Sequence, residues 1–381
     1  MLKGIQLSLM IGPVVPIPVS QTVLEALTEV EVTSGEMEHT GNLFQLKFKI
    51  DKNSPLQILF LLTGGSPLLF MRVVIVVNMR GSSEIIMDGV ITNHEMASGT
   101  DGTHPMLVIT GEDVSRVMNL IDFSGFPFPA MPAEARIALM LLKYAMFGVI
   151  PLVIPSVMID VPIPTGNIPS QQGTDLKYIR ALAAQVGYVF YVEPGPAVGT
   201  NTAYWGPRIK VGVPQPALNI DMDAHTNVES LNFSFDNQKN RLPLVYIYNE
   251  ITKVVFPIPI PPITPLNPPL GLVPPIPGNL GELKPFRADL SKFSIPKAIM
   301  IGLADASLAA EAVTGRGSLD VLRYGRILKA RQLVGVRGVG TAYDGLHYVT
   351  KVKHKIKQGQ YKQEFELSRN GLISTIPKVM P

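Results

Sequence analysis

The chain is predicted to be a mainly β protein carrying a small α/β insert. Two long regions, 1–110 and 221–372, alternate apolar and polar side chains with the period of two expected of half-buried strands. Between them the period changes to that of amphipathic helices, at 133–147 and 175–186. The 33 glycines and 34 prolines are too many for a helical protein and suit strands joined by turns.

A length of 381 residues suits two or three domains, and 46% hydrophobic against 17% charged residues supports a large core. The expected divisions are a first strand region at 1–112 and an insert at 113–220. A second strand region at 221–372 contains a proline-rich loop at 256–285, and 373–381 forms a tail. Cysteine is absent, which excludes disulfides, thiolate nucleophiles and cysteine-based metal sites. The net charge of +3 is unevenly spread. Residues 316–370 hold twelve Lys/Arg against Asp320, Asp344, Glu364 and Glu366, a local +8 that leaves −5 for the rest. Such asymmetry fits a nucleic acid, an acidic partner surface or a solvated basic face.

In chain order, Ile5, Leu7, Leu9 and Ile11 alternate with Gln6 and Ser8, reading as a strand rather than a signal peptide. Asn42–Ile50 alternates likewise. Met71–Met79 is a β-branched run ended by a turn at Arg80-Gly81-Ser82-Ser83. Glu84–Asn93 continues as a strand through Asp88-Gly89, and Met106–Thr110 gives another. Strands so spaced suggest an antiparallel barrel or sandwich. The apolar segment Ile137–Ile159 has the length of a membrane span, but Lys143, Pro151 and Pro155 argue for a buried helix over 133–147 and an extended stretch after it. Asp175–Val186 is predicted to be a helix capped by Thr174 and ended by Gly187. Its apolar stripe is Leu176, Ile179, Leu182, Ala183 and Val186, and a strand follows at Tyr188–Glu193. Val228–Phe235 and Leu244–Tyr248 alternate again.

The run from Phe256 to Pro285 is too proline-dense for a central strand or a helix and favours extended geometry. Pro257, Pro259, Pro261, Pro262, Pro268, Pro269, Pro274 and Pro275 are separated by Ile, Leu and Val, so a rigid loop packed on its own domain or on a partner is expected. A hairpin closes the pattern. Tyr348, Thr350, Val352, His354 and Ile356 are assigned to one face, and Lys351, Lys353, Lys355 and Lys357 to the other. Gln358-Gly359 marks its turn. The return strand alternates Tyr361, Gln363, Phe365 and Leu367 with Lys362, Glu364 and Glu366, which offer cross-strand partners to the lysines.

Catalytic patterns are missing. The six histidines form no paired ligand spacing. Asp221, Asp223 and His225 would share a face only if they lay in a strand. Gly335, Gly338 and Gly340 follow GxxGxG, not the dinucleotide pattern, and neither a P-loop nor a GxSxG elbow occurs. The carboxylate pairs Asp122 with Glu134 and Asp320 with Asp344 have no feature that brings them together. No enzyme activity, cofactor, metal or small-molecule substrate is expected.

Three stretches resemble the late control gene D / VgrG-like family, which includes phage baseplate hubs. IIMDGVITNHEMASGTDGTHPMLVITGEDVSRVMNL, Ile85–Leu120, ends in a Gly-x-Asp-x-Ser turn at Gly111, Asp113 and Ser115. TDLKYIRALAAQVGYVFYVEPG, Thr174–Gly195, is similar to the family's insert helix and following strand. Leu322–Gly371 contains Asp344-Gly345-Leu346-His347-Tyr348-Val349 with Val352 and His354, similar to the end of the second barrel. The resemblance implies two tube-protein-like antiparallel β-barrels per chain, at 1–112 and 221–372, and no catalytic residues. It implies a homotrimer that adapts a six-fold inner tube to a three-fold spike. Its partners would be the tube ring, a separate spike protein and other baseplate proteins, with nucleic-acid contact only in a phage. Assembly would take place in the cytoplasm, as part of a tail or injection-system particle. The proline-rich loop is not part of the family pattern. The alternatives are a membrane-associated or substrate-binding protein using Ile137–Ile159 and the proline loop, and a baseplate cell-wall hydrolase, for which no acidic pair in a cleft is recognisable.

Overall fold

A computed structural model describes residues 4–36, 41–50, 71–97, 105–156, 168–236, 244–248, 253–259, 268–273, 298–303, 306 and 311–376. The first strand region comprises β1 (Ile5–Pro13), β2 (Ile17–Pro18), β3 (Leu27–Gly35), β4 (Leu43–Lys49), β5 (Met71–Met79), β6 (Ser82–Ala97) and β7 (Met106–Asp113), with a short helix α1 (Gln21–Ala26) between β2 and β3. These strands hydrogen-bond in the order β3-β4-β7-β6-β5-β1-β2, all antiparallel. The apolar run of β5 reflects burial on both faces, with Val73, Val74, Ile75 and Val77 all inaccessible. The path does not close by hydrogen bonds among the described residues. Ile5 and Leu7 instead face Leu27, Val30 and Ile356 across a groove of about 490 Å³ that Leu24 of α1 also lines.

The insert contains α2 (Ala133–Leu142), β8 (Val149–Val153), α3 (Asp175–Val186), β9 (Val189–Pro194) and β10 (Asn201–Gly206). Its sheet has the order β8-β10-β9. Helix α3 forms as its sequence dictates. Thr174 Oγ1 accepts from Lys177 N at 3.4 Å, Gly187 adopts φ 72°, and Leu176, Ile179, Leu182 and Ala183 are buried against α2 and the sheet. The expected helix over 133–147 is shorter. It stops at Leu142, and a 3-10 turn at Ala145–Phe147 leads through the left-handed Gly148 into β8. Lys143, inside the apolar segment, has its Nζ 2.5 Å from Asp175 Oδ2 and 4.2 Å from the Phe123 ring centre. Among the described residues no helix is long and apolar enough to cross a membrane.

The second region adds β11 (Gln215–Asn219), β12 (Ser230–Phe235), β13 (Leu244–Tyr248), β14 (Val255–Pro259), β15 (Gly271–Val273), β16 (Val313–Asp320), helix α4 (Val321–Tyr324), β17 (Leu333–Arg337), β18 (Gly345–Lys357), β19 (Gln360–Arg369) and β20 (Leu372–Ser374). Its main order is β12-β16-β19-β18, with β17 on β18 and β11 parallel to β17. Strand β11 lies within 113–220 yet pairs outside the insert sheet.

Strand β18 is the hinge of the architecture. Its first half pairs with β17 and its second half with β3, on the same side. The change of neighbour falls at a bulge between Val349 and Lys351. Seven residue pairs, from Lys351 opposite Gly35 to Lys357 opposite Glu29, fuse both regions into one 13-stranded sheet over a shared core. The bulge corrects one sequence assignment. The extra residue flips the faces upstream, so Val349 joins Val352 and Ile356 in the main core, while Tyr348 packs with Leu270, Leu333 and Leu346 on the other side.

Candidate functional site: the charged seam and its buried ties

Lys351, Lys353, Lys355 and Lys357 all lie on the half-exposed face of β18, alternating with buried Val352, His354 and Ile356. Three of them are engaged within the sheet. Lys353 Nζ lies 2.7 Å from Glu31, Lys357 Nζ 3.0 Å from Glu29, and Lys355 Nζ 2.6 Å from Glu364. The first two pairs cross from β18 to β3 and so bind one region to the other. Lys47 of β4 extends the row, 2.8 Å from Glu29. Burial would raise the Glu29 carboxyl, but Lys47 and Lys357 outweigh it and hold it below its usual range. Lys351, opposite Glu366 and Gly35, has no ion pair among the described residues.

Beneath this face runs a neutral polar chain. His354 Nδ1 lies 2.7 Å from Tyr361 Oη and 3.4 Å from Gln363 Nε2, and Gln363 exchanges hydrogen bonds with the backbone of Leu328. Burial lowers His354 to about 4, and burial with the nearby Arg369 charge lowers His347 to about 3, so both imidazoles are neutral. Arg369 is fully buried and donates to the carbonyls of Gly371, Asp344, Tyr343 and Ala342.

Two buried arginines tie the insert to the sheet, and neither was singled out in the sequence. Arg72 grips Asp88 with two hydrogen bonds of 2.7 Å and donates to the carbonyls of Val14, Phe147 and Gly199. The signal was there: a cation inside the β-branched run of β5, with Asp88 on the neighbouring strand. Arg331 donates to Glu193 at 2.6 Å, to Gly35 O at 2.5 Å and to Asn42 Oδ1 at 3.2 Å, and stacks 4.1 Å from the Tyr191 ring centre. Asn42 in turn donates from its side chain to Val192 O and from its backbone to Asp113 Oδ2 at 2.5 Å. Asp113 also caps the turn at Ser115 N, so the Gly-x-Asp-x-Ser motif is the centre of a three-way joint. Burial raises the Asp113 carboxyl against the pull of those donors. Gly111 is required here, because a Cβ would stand 2.3 Å from Phe44 and from Val90 O.

Of the proline-rich residues, Pro257 and Pro259 lie in β14, which among the described residues pairs only with β13. They sit two apart, so both can turn their hydrogen-less nitrogens away from the partner strand. Pro268 O accepts from Asn370 Nδ2 at 3.3 Å, and the adjoining Leu270 is buried. Pro269 is exposed, and Pro261, Pro262, Pro274 and Pro275 lie outside the described residues.

The residues considered for chemistry have local duties. Asp221 and Asp223 adopt φ 51° and 50°, and Asp223–His225 is a 3-10 turn, so the strand face imagined for Asp221, Asp223 and His225 does not exist. No cluster of three potential metal ligands occurs among the described residues. Asp122 accepts from Ser124, Glu134 from Ser156, Asp320 caps α4, and Asp344 accepts from Val339 N.

No protein-family model matches the sequence, and neither does any curated protein. Solved structures do match. A tail protein from Neisseria meningitidis MC58 aligns with 98% of this chain and 99% of its own, at 12% identity and a TM-score of 0.64. The 43 kDa tail protein of prophage MuSo2 from Shewanella oneidensis aligns with 96% of this chain and 98% of its own, at 11% identity and a TM-score of 0.61. The c3393 protein of E. coli, a component of the type VI secretion system, aligns with 93% of this chain and 77% of its own, at 9% identity and a TM-score of 0.51. The chain therefore has the mainly β fold of phage tail proteins and VgrG-like secretion components.

Proposed function

We propose that this chain is the structural, non-enzymatic hub of a contractile tail or injection-system baseplate. Three copies would adapt the six-fold inner tube to a three-fold spike, each contributing two tube-like barrels, 1–112 and 221–372, on either side of the insert. The observation that carries the reading is the span of the likeness: nearly the whole chain aligns with nearly the whole of two tail proteins. The β18–β3 fusion supports it physically, because one continuous sheet holds the two regions in a fixed relation, as two successive positions in a ring require. In this reading the face bearing Lys351, Lys353, Lys355 and Lys357 lines a lumen or meets an acidic partner. The loop 256–285 contacts a neighbouring subunit or another baseplate protein. Assembly takes place in the cytoplasm. Light scattering of the purified chain with its spike tests the stoichiometry: three chains of 41.4 kDa per complex are expected. A stable monomer bound to the spike would overturn the reading.

A further inference from the structure

The segment joining β10 to β11, Pro207–Pro214, is built inside out. Its charged residues point inward: Lys210 Nζ lies 2.7 Å from Glu311, and Arg208 lies 2.6 Å from Glu36 and 3.3 Å from Glu311. Burial would raise the Glu311 carboxyl, but Lys210 and Arg208 hold it below its usual range. Its aliphatic residues point outward instead, with Val211 67% and Val213 94% exposed. Single exposed aliphatics are ordinary, but a pattern that buries two cations to hold valines in water is the informative kind.

Val213 stands at the edge of a cavity of about 650 Å³ that both strand regions and this segment build. Arg80, Arg326 and Lys329 line it, together with Gln215, Gln332 and Tyr324. Only Lys329 has a carboxylate partner, Glu84 at 3.1 Å; Arg80 and Arg326 have none among the described residues. Arg80 adopts φ 49° in the two-residue turn from β5 to β6, a conformation that Gly or Asn adopts at lower cost. Its guanidinium makes one long contact, 3.4 Å to Leu322 O, so most of its donors remain free.

We propose that this cavity receives an acidic segment of a partner protein. Its carboxylates would engage Arg80, Arg326 and Lys329, and an adjacent aliphatic side chain would lie against Val213. A nucleic acid fits less well. The cations do not extend into a stripe, and the apolar edge offers a sugar–phosphate chain nothing. The proposal rests on the cavity alone and stands apart from the hub reading.

The test titrates the full chain with a fluorescein-labelled peptide of alternating Glu and Leu, and in parallel with an oligothymidylate of equal charge, following anisotropy. Saturable peptide binding that weakens with salt is expected. It should fall about tenfold in Arg326→Glu and about fivefold in Val213→Ser. Lys177→Glu, exposed on α3 and outside the cavity lining, should leave it unchanged. Absence of saturable binding, equal binding by Arg326→Glu, or tighter binding of the oligothymidylate would overturn the proposal.

Discussion

At the joint between β5, β6 and the insert, the Arg72 and Asp88 side chains are 3% and 1% exposed. On the seam between β18 and β3, Lys353 and Lys357 are 32% and 53% exposed, paired with Glu31 and Glu29. The seam pairs join strands distant in sequence, whereas Arg72 and Asp88 share one hairpin and Arg72 reaches the insert by donating to the carbonyls of Phe147 and Gly199, and physics assigns the two sets different work. A buried pair gives up its hydration, so removing one partner strands a charge and costs about 3–5 kcal/mol. An exposed pair is screened and contributes about 0–1 kcal/mol. The insert is therefore locked to the sheet by buried charge, whereas the two strand regions are held together by seven backbone residue pairs and a common core, with the lysines as trim.

The strongest break in this comparison is beneath the seam rather than on it. Val352 is fully buried within the core that both regions share, so Val352→Asp should cost roughly 4 kcal/mol or more and leave little soluble protein. A normal melting curve for that variant would show that the register of β18 is wrong. Next, Arg72→Met should lower stability by about 3–5 kcal/mol, and adding Asp88→Asn should restore part of it by removing the stranded charge. Urea titrations of the single and double variants separate this from simple loss of packing, which the second change would not repair.

A third prediction uses pH. His354 titrates near 4 in the folded chain against about 6.5 unfolded, so between those values the unfolded chain binds the extra proton. Stability from this group is full above about pH 6.5 and falls as the pH drops toward 4. The loss should be about 2 kcal/mol by pH 5, and His347 adds to it in the same direction. His354→Gln should flatten the dependence of urea midpoint on pH between 7 and 5; an unchanged slope would mean that His354 is not the titrating group. Smallest of all, Lys355→Glu should melt within about 1 kcal/mol of the parent, because its partner Glu364 is 51% exposed. A large destabilisation there would make the seam, not the core, the fastening.

The contrast also marks what the sequence could reveal. Local patterns were legible: Thr174 and Gly187 bounded α3, and the lysine alternation assigned residues 351–357 to the correct faces. Events that insert or pair at a distance were not. One extra residue at Thr350 reversed the face of Tyr348, which strict alternation cannot foresee. Strand β16, VTGRGSLD, is too polar and glycine-rich to declare itself; Gly315 and Gly317 are there because a Cβ would strike Phe233 and Phe365. The pairing of β18 with β3 spans some three hundred residues and leaves no short-range mark, although Glu29 and Glu31 mirror the lysines they meet. The buried arginines were hidden by the rule that charges lie outside, and their carbonyl and carboxylate cages become visible only in three dimensions.

A density map of the assembled particle tests the hub reading most directly. It should place three copies of this chain between the last tube ring and the spike, with six barrel-like walls, two per copy, around one channel. A map that places a single copy there, or six copies each lending one barrel, would contradict it.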